Sequence, residues 1–63
     1  MKMSYEDYRD AVVNMVVEYR ISKGLSGVCC TDTILDFYRN GCSLDEAFDD
    51  AELYTAYWEG DLM

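Results

Sequence analysis

The chain has 63 residues, 51% of them hydrophobic, with six Tyr, two Phe and one Trp and a formal net charge of −8. That length allows one domain, residues 1–63, whose core alone contributes about 3–5 kcal/mol, and the aromatic content excludes a disordered acidic tail. The longest apolar runs fall well short of the roughly 18 residues a membrane-spanning helix needs, and histidine, the commonest acid–base and metal-binding side chain, is absent.

The first helix is predicted from about Ser4 to Lys23. Ser4 is a natural N-cap, Glu6 and Asp7 fall in the first turn where acids favour the helix dipole, and Gly24 suits the position just past the end. Tyr5, Tyr8, Val12, Met15 and Tyr19 recur at steps of three and four, flanked by Ala11 and Val16, and are expected to face the core. A second stripe, Val13, Val17 and Ile21, is spaced i, i+4, i+8 and lies well round from the first. β-Branched residues have only modest helix propensity, so propensity does not explain them. Two coverings remain open: the loop at Leu25–Cys30, or a second copy of the chain, which would make Val13, Val17 and Ile21 a candidate dimer interface.

The second helix is expected over about 32–40, capped by Thr31, with Ile34, Leu35, Phe37 and Tyr38 on its buried face and Asn40-Gly41 as its stop. Ser43-Leu44-Asp45-Glu46 reads as a capping box, in which Ser43 caps the third helix and Glu46 reaches back. The third helix then spans about 44–58, with Gly60 as its stop. Leu44, Phe48, Ala51, Thr55 and Trp58 share one side with Ala47 and Tyr54, while Leu53, Ala56 and Tyr57 belong to the other. No stretch alternates with period two for long enough to make a strand. The fold class is therefore all-α, a small three-helix bundle with short links.

Helix, Gly-containing turn and capped helix is also the layout of a helix-turn-helix. Here the recognition helix would present Asp45, Glu46, Asp49, Asp50, Glu52 and Glu59. Phosphate binding depends on Lys and Arg, so direct nucleic-acid binding is not expected. Nor is catalysis. Cys29 and Cys30 have no histidine to activate them, the exposed carboxylates give no reason for a shifted pKa, and Gly24-Leu25-Ser26-Gly27 is too short for a phosphate loop and has no Lys after it. Cys29, Cys30 and Cys42 lack the ligand number and spacing of a structural zinc site and are expected to be reduced, small buried hydrophobes. No metal or other cofactor is expected. The first residues carry no apolar signal segment, and with an odd number of thiols the expected location is the cytoplasm.

The charge is one-sided. Residues 1–42 hold six acids and five bases, whereas residues 43–63 hold seven acids and no base. Solvated helix faces usually mix signs. Here Asp45–Asp49, Glu46–Asp50, Glu46–Asp49 and Asp49–Glu52 are like pairs at i, i+3 and i, i+4, together costing roughly 1–2 kcal/mol. Asp45, Asp49 and Glu52 form a row whose axial steps, roughly 6 and 4.5 Å, approach the separation of phosphates along a nucleic-acid strand. The expected partner-binding residues are Asp45, Glu46, Asp49, Asp50, Glu52, Leu53, Tyr57 and Glu59, facing a Lys/Arg-rich protein surface.

In size and one-sided acidity, carried by Asp45, Glu46, Asp49, Asp50, Glu52 and Glu59 with Tyr57, the chain resembles small phage and mobile-element inhibitors of host defence. These include anti-CRISPR proteins and DNA-mimicking anti-restriction proteins. The resemblance covers about the last third of the chain and rests on charge, not on a motif. It implies a non-enzymatic inhibitor, acting in the host cytoplasm if phage-encoded, whose acidic helix occupies the nucleic-acid groove of a CRISPR effector or other defence nuclease. Two other readings are a small dimeric structural or adaptor protein and a regulator that binds a basic transcription factor.

Overall fold

A computed structural model describes residues 3–60. It shows a small all-α three-helix bundle: α1 (Tyr5–Ser22), α2 (Ile34–Arg39) and α3 (Leu44–Glu59). Both long helices begin as their sequences predict. Ser4 Oγ accepts the Asp7 N–H at 3.3 Å. At α3 the box is reciprocal: Ser43 Oγ accepts the Glu46 N–H at 3.3 Å, and Glu46 Oε1 accepts the Ser43 N–H at 3.1 Å. The ends of α1 and α2 also follow the glycines. Leu25 N–H reaches the Arg20 carbonyl and Gly24 N–H the Ile21 carbonyl, and Cys42 and Gly41 repeat that pattern on Phe37 and Tyr38. This double closure requires a left-handed residue, supplied by Gly24 at φ +77° and Gly41 at φ +75°.

α2 is shorter than its sequence suggests. Thr33, not Thr31, occupies the cap position, and it makes no side-chain cap bond. Upstream, the Cys30 N–H donates to Thr55 Oγ1 at 2.6 Å, which fixes the incoming chain to α3. From there the backbone first makes a tight turn, with Ile34 N–H on the Thr31 carbonyl at 3.2 Å. Of the expected buried face, Ile34 is buried, Phe37 and Tyr38 are half-buried, and Leu35 is exposed.

α1 and α3 lie side by side and run the same way. At one end the Tyr8 hydroxyl donates to the Cys42 carbonyl at 2.9 Å, just before α3 begins, and at the other Arg20 meets Glu59. Residues 23–33 form a strap that returns the chain, and α2 continues it to the starting end. Tyr38 stacks edge-on against Tyr5 and Tyr8 there, with centroids 5.6 and 5.2 Å apart.

The core consists of Tyr8, Val12, Val16, Ile34, Ala47 and Ala51, with Tyr5, Val13, Cys29, Phe37, Tyr38, Leu44 and Phe48 packed around it. The buried positions of α1 are Tyr8, Val12, Val16 and Arg20. Those of α3 include Ala47, Ala51 and Thr55, and Glu59, one further step along that row, turns toward Arg20. Both helices therefore bury rows of every fourth residue, the ridges that interdigitate when helices pack closely. Relative to its expected stripe the buried face of α1 is turned by roughly 40°, less than half of the 100° between successive residues, whereas on α3 Ala47, Ala51 and Thr55 are buried as expected, with Leu44 and Phe48 packed beside them. Tyr19 leaves the core with this turn, and on α3 Tyr54 and Trp58, expected on the buried side, are exposed, Trp58 by 71%. Ala56, expected to face outward, is buried.

The same rotation explains the second stripe of α1. Val13 packs on the core cluster, and the strap lies over the rest: a Cβ on Gly27 would stand 3.3 Å from Ile21 Cδ1 and 3.5 Å from Val17 Cγ1. Val13 and Val17 are half-buried, and Ile21 remains 61% exposed. The loop covering is the observed one for Val17, so Val13, Val17 and Ile21 do not form one continuous open face.

Two core-side groups ionise less readily than usual. Burial pushes the Tyr8 hydroxyl above its ordinary value of 10.0, with nearby Cys42 and Glu46 adding to the effect. Burial likewise raises the Cys29 thiol above 9.0, partly offset by its hydrogen bond with Thr55 and by Arg20. The folded chain holds both protons more tightly than the unfolded chain does. Their contribution to stability is complete below those ordinary values and is lost as pH rises through the raised folded values. Urea unfolding at pH 7 and at about pH 10.5 should therefore show an alkaline loss of stability. Tyr8→Phe should lower stability at pH 7 by about 1 kcal/mol and make that alkaline loss shallower.

Candidate partner-binding interface on α3

The capping box fixes the rotation of α3 at its start, and Gly60, at φ +81°, ends it. Between these points the helix buries one side and presents the other. Asp45, Glu46, Asp49 and Asp50 are exposed, and Glu52 is half-buried. Glu46 is also committed to the box through Oε1. Among the described residues no ion pair joins Asp45, Asp49 or Asp50 to a base, so the like-charge contacts expected from the sequence are unrelieved. Exposed carboxylates at these spacings project a negative field from the first half of the helix.

The second half differs in chemistry. Leu53 is 52% exposed, Tyr54 46% and Tyr57 69%. Leu53, Tyr54 and Tyr57, together with Asp50, line an open groove of about 440 Å³. The outward side is thus divided lengthwise, acidic at the start and aromatic toward the end. Tyr54 lines this groove and Trp58 is exposed, although their periodicity assigns both to the core. Their size is the available signal: the middle of the facing rows, Val12 and Val16 against Ala47, Ala51 and Thr55, is built from small side chains.

Glu59 is the residue whose placement departs furthest from expectation. It is drawn away from the partner-facing acids by Arg20, whose side chain is fully buried. Arg20 Nη2 donates to Glu59 Oε2 at 2.6 Å, Arg20 Nε donates to the Ser26 carbonyl at 3.0 Å, and Ser26 Oγ donates to Glu59 Oε2 at 2.7 Å. A buried guanidinium is stable only when paired and hydrogen-bonded, and Glu59 provides the charge. The absence of bases after Arg39 conceals this pair, because its cation comes from α1.

The cysteines do not converge. Cys30 is tied to Thr55, whereas Cys42 lies beside Tyr8. Thr55 and Ser43 are 12 helical positions apart, roughly 18 Å along the axis. All three thiols are free and half-buried. Among the described residues, no group of three or more Cys, Asp or Glu is arranged to hold a metal ion, and no helix is long and apolar enough to cross a membrane. Comparison of the chain with family models, curated proteins and solved structures finds no match.

The Arg20–Glu59 geometry yields a stability test. Glu59→Ala leaves Arg20 without its counter-charge and should cost about 3 kcal/mol, the lower end of the range for breaking a buried pair because Glu59 itself keeps some water contact. Adding Arg20→Met, which fills similar space without charge, should restore part of that loss. Equal thermal stability of Glu59→Ala and the wild type would contradict a structural role for the pair.

Proposed function

We propose that this protein is a non-enzymatic inhibitor that docks the outward side of α3 on a basic protein surface. The surface would be one that otherwise holds nucleic acid, as in a CRISPR effector or another defence nuclease. The observation that carries this reading is the set of exposed, unrelieved carboxylates at Asp45, Asp49 and Asp50 on a capped, docked helix. Mutual repulsion among them weakens a small domain, and a Lys/Arg-rich groove turns it into attraction. The carboxylates would speed association and lose influence as salt screens them. Leu53 and Tyr57 would supply contact area, with Tyr among the residues enriched at binding hot spots. Occupying the groove would exclude the nucleic acid stoichiometrically, with no chemical step.

The immobilised chain should capture its target from extract at low salt and release it on addition of high salt or duplex nucleic acid. Asp45→Lys together with Asp49→Lys should weaken that capture by about tenfold or more, mainly by slowing association. Capture that ignores salt, competitor nucleic acid and both substitutions would overturn the proposal. A captured transcription factor would instead favour the regulator reading.

One observation favours a second reading, self-association as a dimeric adaptor. Between Glu18 and Asp32 the chain has no acid, and within this stretch Ile21, Leu25 and Val28 are exposed. Two copies could meet there without opposing carboxylates. Sedimentation across a concentration series should then show a dimer that Ile21→Glu dissociates. This substitution probes the interface more cleanly than one at Val17, which lies beneath the strap. Monomeric behaviour of wild type at all concentrations removes this reading.

A further inference from the structure

We infer that the groove lined by Asp50, Leu53, Tyr54 and Tyr57 receives an arginine side chain of the partner. The inference rests on the basic-partner reading for the origin of that side chain, while the chemistry of the groove is independent of it. The four positions are separated by steps of three and four, so they share one side of α3 over two turns. Its volume of about 440 Å³ falls within the range of ligand sites.

The lining selects the occupant. A purely apolar group would strip water from the Asp50 carboxylate without replacing its hydrogen bonds. An anion would meet Asp50 and the neighbouring Asp49. A neutral polar group would gain little from the Tyr54 and Tyr57 rings. A cation on an apolar stem satisfies every component: its methylenes lie on Leu53, its charge faces the tyrosine rings, and its N–H groups reach Asp50. Arginine fits better than lysine, because its planar, weakly hydrated guanidinium stacks on rings and binds a carboxylate through two parallel hydrogen bonds. The chain already pairs cations with tyrosines elsewhere. The Arg9 guanidinium carbon lies 5.8 Å from the Tyr5 centroid, and Lys23 Nζ lies 5.5 Å from that of Tyr19. A second copy is a poor occupant, since it would bring its own Asp45, Asp49 and Asp50 against these.

The test is a titration of the full-length, isotope-labelled chain with N-acetyl-arginine amide, the lysine counterpart and, as a neutral control, the glutamine counterpart, followed by amide shifts. Arginine should shift residues 50–57 saturably and more strongly than lysine, with no effect from glutamine. Asp50→Asn and Tyr57→Ala should each weaken binding about tenfold. Tyr57→Phe, which keeps the ring, should preserve it, and Asp45→Lys with Asp49→Lys should change it by less than about threefold. These side chains are exposed, so the variants should retain the wild-type spectrum elsewhere. Arginine shifts that match those of sodium chloride, or that spread over all the acids, would overturn the proposal. So would shifts of residues 50–57 on concentrating the chain alone, which would assign the groove to a second copy. Arginine binding with failed target capture would remove the nucleic-acid-groove reading and leave the site; capture without arginine binding would do the reverse.

Discussion

Arg20 has no solvent contact, and its guanidinium must be paired where it lies. Glu59 and the Ser26 carbonyl do this, and in doing so they join three parts of the chain that hydrophobic burial alone would leave loosely related. Arg20 is near the end of α1, Ser26 is on the strap, and Glu59 is the last residue of α3. Their arrangement fixes the azimuth of both long helices. With Arg20 turned inward, the residues at steps of four before it, Val16, Val12 and Tyr8, face inward as well. With Glu59 turned toward Arg20, the same holds for Thr55, Ala51 and Ala47. The ion pair extends both core rows at their far end, and the outward side of α3 is what remains.

That dependence also explains what the sequence revealed and what it hid. Caps and stops were legible because each is local: Ser4, Ser43 with Glu46, Gly24, Gly41 and Gly60 act on the few residues beside them. The number of helices followed from the same signals. The core side of α3 was legible at Ala47, Ala51 and Thr55, but the rotation of α1 was legible only roughly, because periodicity weighs large apolar side chains most. Met15 and Tyr19 pulled the expected stripe of α1 toward themselves, whereas Tyr54 and Trp58 were added to a stripe of α3 that otherwise holds. What the pattern hid is the charged pair: Arg20 and Glu59 extend the buried rows, and both count as polar until their partners are known. Thr55 was legible as a core-side position, but its bonds were not. It is buried because its hydroxyl donates to the Ala51 carbonyl and accepts the Cys30 N–H, a contact 25 residues away in sequence. The short α2 was not legible either: the Cys30 N–H is held by Thr55, and the helix begins only at Ile34. Of the interface residues, the exposed acids were legible from composition, whereas the diversion of Glu59 required knowing that an arginine on α1 faced it.

Small side chains in the facing rows have a further consequence. Val12 and Val16 packing near Ala47 and Ala51 bring the helix backbones close and leave no interior volume for the large rings of α3. Those rings are displaced to the surface, next to carboxylates that the core also cannot take. The mixed acidic and aromatic character of the outward side is therefore partly a product of how tightly the inner side packs. Exposing an aromatic row is unfavourable in water and favourable against a partner. The same holds for the run of like charges. Both features weaken the isolated domain and strengthen a complex with a surface of opposite charge and matching apolar relief.

Rigidity determines how much of that potential reaches affinity. Ordering a flexible segment on binding consumes part of the interaction free energy, so a surface held in place beforehand binds more tightly for the same contacts. α3 is held at both ends: the capping box fixes its first turn, and the Arg20–Ser26–Glu59 contacts fix its last. Between them Thr55 ties its middle to the strap. The groove residues, Asp50 to Tyr57, lie within this braced section. A partner arginine entering there meets a backbone whose position is already set, and only the exposed side chains have to choose rotamers. The carboxylates before them act at longer range and tolerate imprecision, whereas ring and carboxylate contacts to one guanidinium demand placement. The division of α3 into an acidic first half and an aromatic second half thus matches two stages of one encounter, attraction at a distance and then fit at contact.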